Sequence, residues 1–461
     1  MSTLSERPRR WTAAVTTGAV VVSGVLLSSS PAAADDDPLV ITGQLNDSTP
    51  FRFVVPDEWN GTVFVDLDFA AGTRIEPHVQ YLLDQGAAYG GTTRNVTGWN
   101  VGAAIDNQVE ALDAFAERVG TPTRAIASGR SMGGFVAAGV AQRHPTAFDG
   151  VVSMCGGLSG TVSQWNQKLD TVFVLSTLLD PSGQLPVIDI PADVSGAREA
   201  WFTRLADAQE TPEGRARIAL AAAIGQLPAQ SQALPNPDAT NTADYEAAWY
   251  GALAGDPLPY IGQAMGSRRS LEQVTGGNPS WNTGIDYFAQ FRGLSNDSRK
   301  VVERLYEEAG LSLNADLAQV DGAERIAADP AAVERFSLGT EFDGELSVPV
   351  VAMSNTGDQI STVAQQSEYE TEVRSAGDNA LLRQVYVDSV GHCSFSAAEL
   401  VVATELLLDR LDSGHWSGGD NATQLNEAAA ALELGGGRFI TFTPDRFSRP
   451  YTLGEPFELA G

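Results

Sequence analysis

Lysine is almost missing from this chain. Lys168 and Lys300 are the only two in 461 residues, and every other cationic side chain is arginine. Basic residues number 29 against 58 Asp and Glu, a formal charge of −29. Such a surface repels nucleic acid and anionic lipid, so neither is an expected partner. Cysteine is just as sparse. Cys155 and Cys393 cannot supply a zinc cluster or a multi-bridge framework, although an even pair in an exported chain permits one disulfide. Histidine is limited to His78, His144, His392 and His415, which leaves a short list for any chemistry that needs an imidazole. There is no phosphate-binding loop, no dinucleotide fingerprint and no His/Cys/carboxylate group at ligand spacing, so no cofactor and no metal are expected.

Long apolar runs are also lacking beyond the first residues, which argues against a membrane span. The start itself has a pattern. Arg7, Arg9 and Arg10 precede "WTAAVTTGAVVVSGVLL", and "SPAAA" ends in small residues before Asp35. This predicts an export signal over residues 1–34, cleaved after about Ala34, and a secreted mature protein. What remains exceeds a typical single domain, so a core with an insertion is expected.

Along the rest of the chain, short strand-like runs alternate with helical ones. "LVITGQL", "FRFVVP", "TVFV", "AAYGGTT", "TRAIAS", "FDGVVSMC", "VPVVAMSN" and "LLRQVYVDS" read as strands. "HVQYLLDQG", "AAIDNQVEALDAFAERVG" and "GFVAAGVAQRHP" have helical spacing. Alternation of this kind predicts an α/β fold with a mostly parallel sheet covered on both faces. Residues 157–346 break the alternation: they contain almost no strand-like runs and read as an all-helical piece. Residues 35–156 and 347–461 therefore form the two parts of the core. The insertion holds Trp165, Trp201, Trp249 and Trp281. Most of its aromatics are expected in its own core, with a minority lining a pocket for an apolar or aromatic substrate.

One motif carries chemistry. "ASGRSMGG" contains Gly-x-Ser-x-Gly around Ser131, between a buried-type strand and a helix. Strand, motif and helix in that order place a nucleophilic serine on a sharp turn, with Gly129 and Gly133 where the backbones crowd and Gly134 letting the helix approach the sheet. A serine hydroxyl needs a base. His392, in a loop after the last long strand, is placed for that role, while His144 ends the helix after Ser131. A carboxylate must orient the imidazole. Asp358 follows a buried strand in "VPVVAMSNTGDQI", with Asp388 in reserve and a helix-capping role as its alternative. The chain order is then Ser131, Asp358, His392.

"GRSMGG", "SNTGDQI" and "GHCSF" together resemble the α/β-hydrolase-fold serine hydrolases, of the exported kind found in actinobacteria. The resemblance covers residues 39–156 and 347–411. It implies that 157–346 is a helical cap inserted after the sixth core strand, and that an oxyanion hole is formed by two backbone N–H groups. One should be that of Met132. The other falls in the loop after "TVFV", on Phe69 or Ala70. Many relatives carry His–Gly in that loop, whereas this chain has Asp66–Leu67–Asp68–Phe69, and a carboxylate beside an oxyanion would raise the barrier unless it is protonated or turned away. The His392–Cys393 pair is also similar to the tannase and feruloyl-esterase group, in which a cysteine beside the histidine is bridged. Cys155 and Cys393 both fall at the carboxyl edge of the sheet, where a bridge would pin the histidine loop; two buried thiols are the alternative. The expected activity is ester hydrolysis of a small-molecule or polymer substrate through an acyl-enzyme. Amide or peptide hydrolysis by the same three residues, or a non-hydrolytic use of the fold, are the alternatives.

Overall fold

The apolar runs pair into one nine-stranded sheet. In chain order its strands are β1 (Leu39–Gln44), β2 (Pro50–Val55), β3 (Thr62–Leu67), β4 (Ala88–Thr92), β5 (Arg124–Arg130), β6 (Gly150–Met154), β7 (Val350–Gly357), β8 (Leu382–Val390) and β9 (Phe439–Ile440). Across the sheet they lie β1-β2-β4-β3-β5-β6-β7-β8-β9. The computed structural model describes residues 38–238, 240–417 and 421–452, so the expected export signal lies outside the described residues. Neighbours from β4 to β8 run parallel; β2 is antiparallel to both β1 and β4, and β9 is antiparallel to β8.

Side chains alternate between two apolar layers, as the period of a strand requires. Val63, Val65, Ala125, Ala127, Val151, Val350 and Ala352 face one layer, where they meet α2 (Val101–Val119) and α3 (Met132–Arg143). Phe64, Ile126, Val152, Val351 and Met353 face the other, with α1 (Pro77–Asp84) and the helix Ala397–Ser413. Both faces of the central strands are covered, which is why these segments read as unbroken apolar runs. Helix α2 starts where the Asn100 side chain accepts from the Ala103 N–H and stops at Gly120, as its sequence signals imply.

Between β6 and β7 the chain is helical, from α4 (Thr161–Leu179) to the helix Pro330–Ser337, with no strand among the described residues. Trp201, Trp249, Tyr260, Tyr287 and Tyr306 are buried together with Val172, Phe173 and Leu175 of α4, so these aromatics do serve a core. Trp165 belongs to a smaller cluster with Trp281, Leu271 and Phe336. Helix α4 is buried on nearly every side, polar residues included, because insertion helices pack on one flank and the sheet's carboxyl edge on the other.

The tail does more than pack on the core. β9 adds the last strand to the sheet, and the chain then crosses to the insertion. There Arg449 pairs with Asp170 of α4 and donates to the Trp281 carbonyl at 2.8 Å, with both charged side chains buried. Asp170 also accepts from the Tyr287 hydroxyl at 2.8 Å and from Gln290 at 2.9 Å. Removing one partner of a buried pair strands the other charge away from water. Arg449→Met should therefore lower unfolding free energy by about 3–5 kcal/mol, read from the urea midpoint. A loss under about 1 kcal/mol would mean that the tail is not anchored through this pair.

Candidate active site

Ser131 sits at the turn between β5 and α3 with φ 58° and ψ −123°, a conformation a side chain adopts only under constraint. The glycines around it show how the constraint is met. A Cβ on Gly129 would lie 2.5 Å from the Gly133 carbonyl carbon, and one on Gly134 would lie 2.6 Å from the Met154 oxygen. Strand, turn and helix thus close to a distance only glycine permits. The Ser131 N–H donates to the Met154 carbonyl at 2.9 Å, tying the turn to the end of β6.

Asp358 and His392 reach this point from the ends of β7 and β8. His392 Nε2 lies 2.7 Å from Ser131 Oγ, and Nδ1 lies 2.8 and 3.0 Å from the two oxygens of Asp358. Asp358 is 1% exposed and also accepts backbone N–H bonds from Ile360 at 2.8 Å, Ser361 at 2.9 Å and Cys393 at 3.2 Å. It does not cap the following helix, which begins at Gln365 behind Ala364. In this arrangement Nε2 can accept the serine proton, while Asp358 fixes the ring and would stabilise the imidazolium. The reserve carboxylate, Asp388, is exposed on β8. Of the other histidines, His144 pairs with Asp106 at 2.8 Å and His415 is exposed, while His78 lines a cavity that also reaches Ser131 but is held neutral by burial.

The histidine loop is pinned twice. A register shift between Asn355 and Gly357 interrupts the β7–β8 ladder before its last pair, and the buried Asn355 amide donates to the carbonyls of Ser389 (3.1 Å) and Gly391 (2.8 Å). Beyond it, a disulfide joins Cys393 to Cys155, the residue that follows β6. Sulfur ligand atoms of these cysteines lie within 4.8 Å of a ligand oxygen of Asp358, but both sulfurs are committed to the bridge and offer no thiolate to a metal.

Residues 86–396 match the family model described as alpha/beta hydrolase fold. The chain is also 33% identical over 428 residues to an o-phthalyl amidase from Xanthobacter agilis, a span of 85% of this chain and 91% of that protein. The chain belongs to the alpha/beta hydrolase fold family. Among solved structures it is similar to feruloyl esterase B from Aspergillus oryzae, at 13% identity and a TM-score of 0.41, over 84% of this chain and 83% of that one. A second esterase from Aspergillus oryzae gives 12% identity and a TM-score of 0.40, over 82% and 80%.

In a hydrolase of this fold the segment facing the serine matters as much as the serine. Met132 is the first residue of α3, whose first-turn N–H groups have no acceptor within the helix. Phe69 opens a short 3₁₀ turn, Phe69–Ala71, just past β3, and lines a cavity of about 410 Å³ together with Ser131. The two carboxylates of this loop are both restrained. Asp68, at φ 80°, pairs with Arg94, accepting from its Nε at 2.7 Å and from its backbone N–H at 3.2 Å. Asp66 accepts from the Tyr89 hydroxyl at 2.6 Å, and burial pushes its carboxyl up to about 7, so near neutrality much of it carries no charge. Protonation of one and pairing of the other relieve the repulsion that the loop's composition implies.

A second cavity, of about 240 Å³, also reaches Ser131. Trp99, Met132, Phe135, Trp165 and Lys168 line it, and Arg94 borders both cavities. Sequence reasoning missed Arg94, Trp99 and Lys168. The rarity of lysine marked Lys168 as unusual, but no motif placed α4 beside the serine.

The bridge gives the site its own test. Cys155→Ala/Cys393→Ala should lower stability by about 2–5 kcal/mol in thermal melts. The same variant should slow fluorophosphonate labelling of Ser131, because the His392 loop loses one of its two anchors. Unchanged melting and labelling would show that the bridge positions nothing.

Proposed function

We propose that the protein is a serine hydrolase that moves an acyl group from an amide to water. The observation that carries this reading is the continuous set of hydrogen bonds from Ser131 Oγ through His392 to Asp358. Ser131 Oγ attacks the carbonyl carbon while His392 Nε2 takes its proton. The oxygen of the tetrahedral intermediate is held by the N–H groups of Met132 and Phe69. His392 returns the proton to the leaving amine, the C–N bond breaks and an acyl-Ser131 remains. Water, deprotonated by His392, then releases the acid.

The same residues would cleave an ester, the bond the resemblance implied. The amide is placed first because the relative at 33% identity over most of both chains carries the name o-phthalyl amidase. That likeness supports an aromatic acyl group, with the o-phthalyl amide as the first substrate to try. Export is proposed with it: a disulfide beside the site suits an oxidising compartment, and material recovered outside the cell should begin near Asp35.

Ser131→Ala should lower kcat on the 4-nitroanilide and on the 4-nitrophenyl ester of one aromatic acid by on the order of 10⁴-fold or more, and Asp358→Asn by a comparable factor. Equal activity in wild type and Ser131→Ala would sink the mechanism. Hydrolysis of the ester alone would overturn the choice of bond. Failure of a fluorophosphonate to label the folded protein would point to a non-hydrolytic use of the fold.

A further inference from the structure

The smaller cavity beside Ser131 contains a charge that the proposed acyl transfer does not use. Lys168 is 3% exposed, in the middle of α4. Its ammonium donates one hydrogen bond, to the Ile360 carbonyl at 2.7 Å, and lies 4.7 Å from the Tyr260 ring centre and 6.0 Å from that of Trp165. Among the described residues, its other N–H groups have no acceptor. An ammonium taken out of water with open donors is costly, and such a group persists where something else compensates it. Burial draws its pKa down to about 7, opposed by the nearby Asp358 carboxylate, so near neutrality it still carries charge that an incoming anion would reinforce.

The walls show what kind of anion fits. Trp99 and Trp165 meet edge to face, ring centres 5.2 Å apart and planes at 82°, and Phe135 and Val101 complete the apolar side. At about 240 Å³ the cavity is smaller than the ~300–1,000 Å³ sites that enclose drug-sized ligands, so it takes one ring with its substituents and leaves the rest of the substrate to the other cavity at Ser131. An aromatic, apolar side faced by Thr161, Gln164, Gln263 and Ser267, with the Lys168 cation buried among them, matches an aromatic ring that carries a carboxylate.

Resting on the acyl-transfer reading above, we propose that this cavity is the acyl pocket and that Lys168 binds a second carboxylate on an aromatic acyl group, making Lys168 a specificity determinant. The ion pair would form only with acyl groups that carry the extra carboxylate, so discrimination appears between substrates that differ in that one group.

The test compares 4-nitroanilides of 2-carboxybenzoic acid and of benzoic acid, using wild type and Lys168→Met. Wild type should favour the carboxylated substrate in kcat/KM by on the order of 10- to 100-fold, the range of a charge-assisted hydrogen bond out of water. Lys168→Met should collapse that ratio toward one, mainly through KM. Titration calorimetry on Ser131→Ala gives a second readout that needs no turnover and no change at Lys168: 1,2-benzenedicarboxylate should bind at least 10-fold tighter than benzoate. Labelling of Ser131 with no preference for the carboxylated substrate in wild type would overturn this inference alone. So would a ratio that survives Lys168→Met, or equal binding of the two acids. No labelling and no turnover of either substrate would overturn the acyl-transfer reading, and this inference with it.

Discussion

The Ser131 N–H reaches the Met154 carbonyl at 2.9 Å, and the next residue, Cys155, is bonded to Cys393 beside His392. The end of β6 therefore holds the serine through a backbone hydrogen bond and the histidine through a covalent one. The third member arrives from the neighbouring strand β7, and the Asn355 amide fastens that strand's end to the histidine loop. Three strands in parallel register end at one edge, and the geometry of the site follows from how those ends are tied together. A change at this junction moves two of the three side chains at once, so effects of substitutions here are not additive.

Electrostatics are handled locally, against the sign of the whole chain. A net charge of −29 would oppose a developing oxyanion if it acted at close range. Close range belongs to a few groups instead. Asp68 is paired with Arg94, Asp66 is driven toward its neutral form by burial, and Arg130 pairs with Glu76 at 2.8 Å in the same cavity. Lys168 adds a cation in the smaller cavity beside Ser131. Surface acids are screened by water and salt, whereas these groups act through short, partly dry paths.

The sheet was legible because each buried strand carries its own signal: an apolar run, flanking turn residues and a helix of matching period. The elbow was legible because its motif sits between a strand and a helix: Gly129 is demanded by its 2.5 Å approach to Gly133 and Gly134 by its 2.6 Å approach to Met154, whereas a Cβ on Gly133 would meet nothing closer than Leu67 at 3.4 Å. Asp358 and His392 could be placed because both follow strands whose ends must lie at one edge. What was hidden depends on contacts between distant segments. β9 is two residues long and owes its existence to pairing with β8, and Arg449 has meaning only beside Asp170. Phe69 had to be inferred by resemblance, because a backbone N–H leaves no trace in residue type. Lys168 was visible as a rarity and nothing more, since it comes from a helix whose position over the serine no local pattern encodes.

That helix decides what the insertion can be. Helix α4 touches the Asp358 loop through Lys168, which donates to Ile360, and through Gln167, which accepts from the Thr362 hydroxyl at 3.2 Å. Ser159, just before α4, donates to Gln365 at 3.2 Å. A lid hinged to swing away would need few buried polar bonds to the core, because each one broken exposes a cost of desolvation. Here they join α4 and its lead-in to Ile360, Thr362 and Gln365, just past Asp358. The start of the insertion is thereby tied to the core at α4, beside the smaller cavity that reaches Ser131. The wall of the smaller cavity and the loop that carries Asp358 are then joined by direct hydrogen bonds.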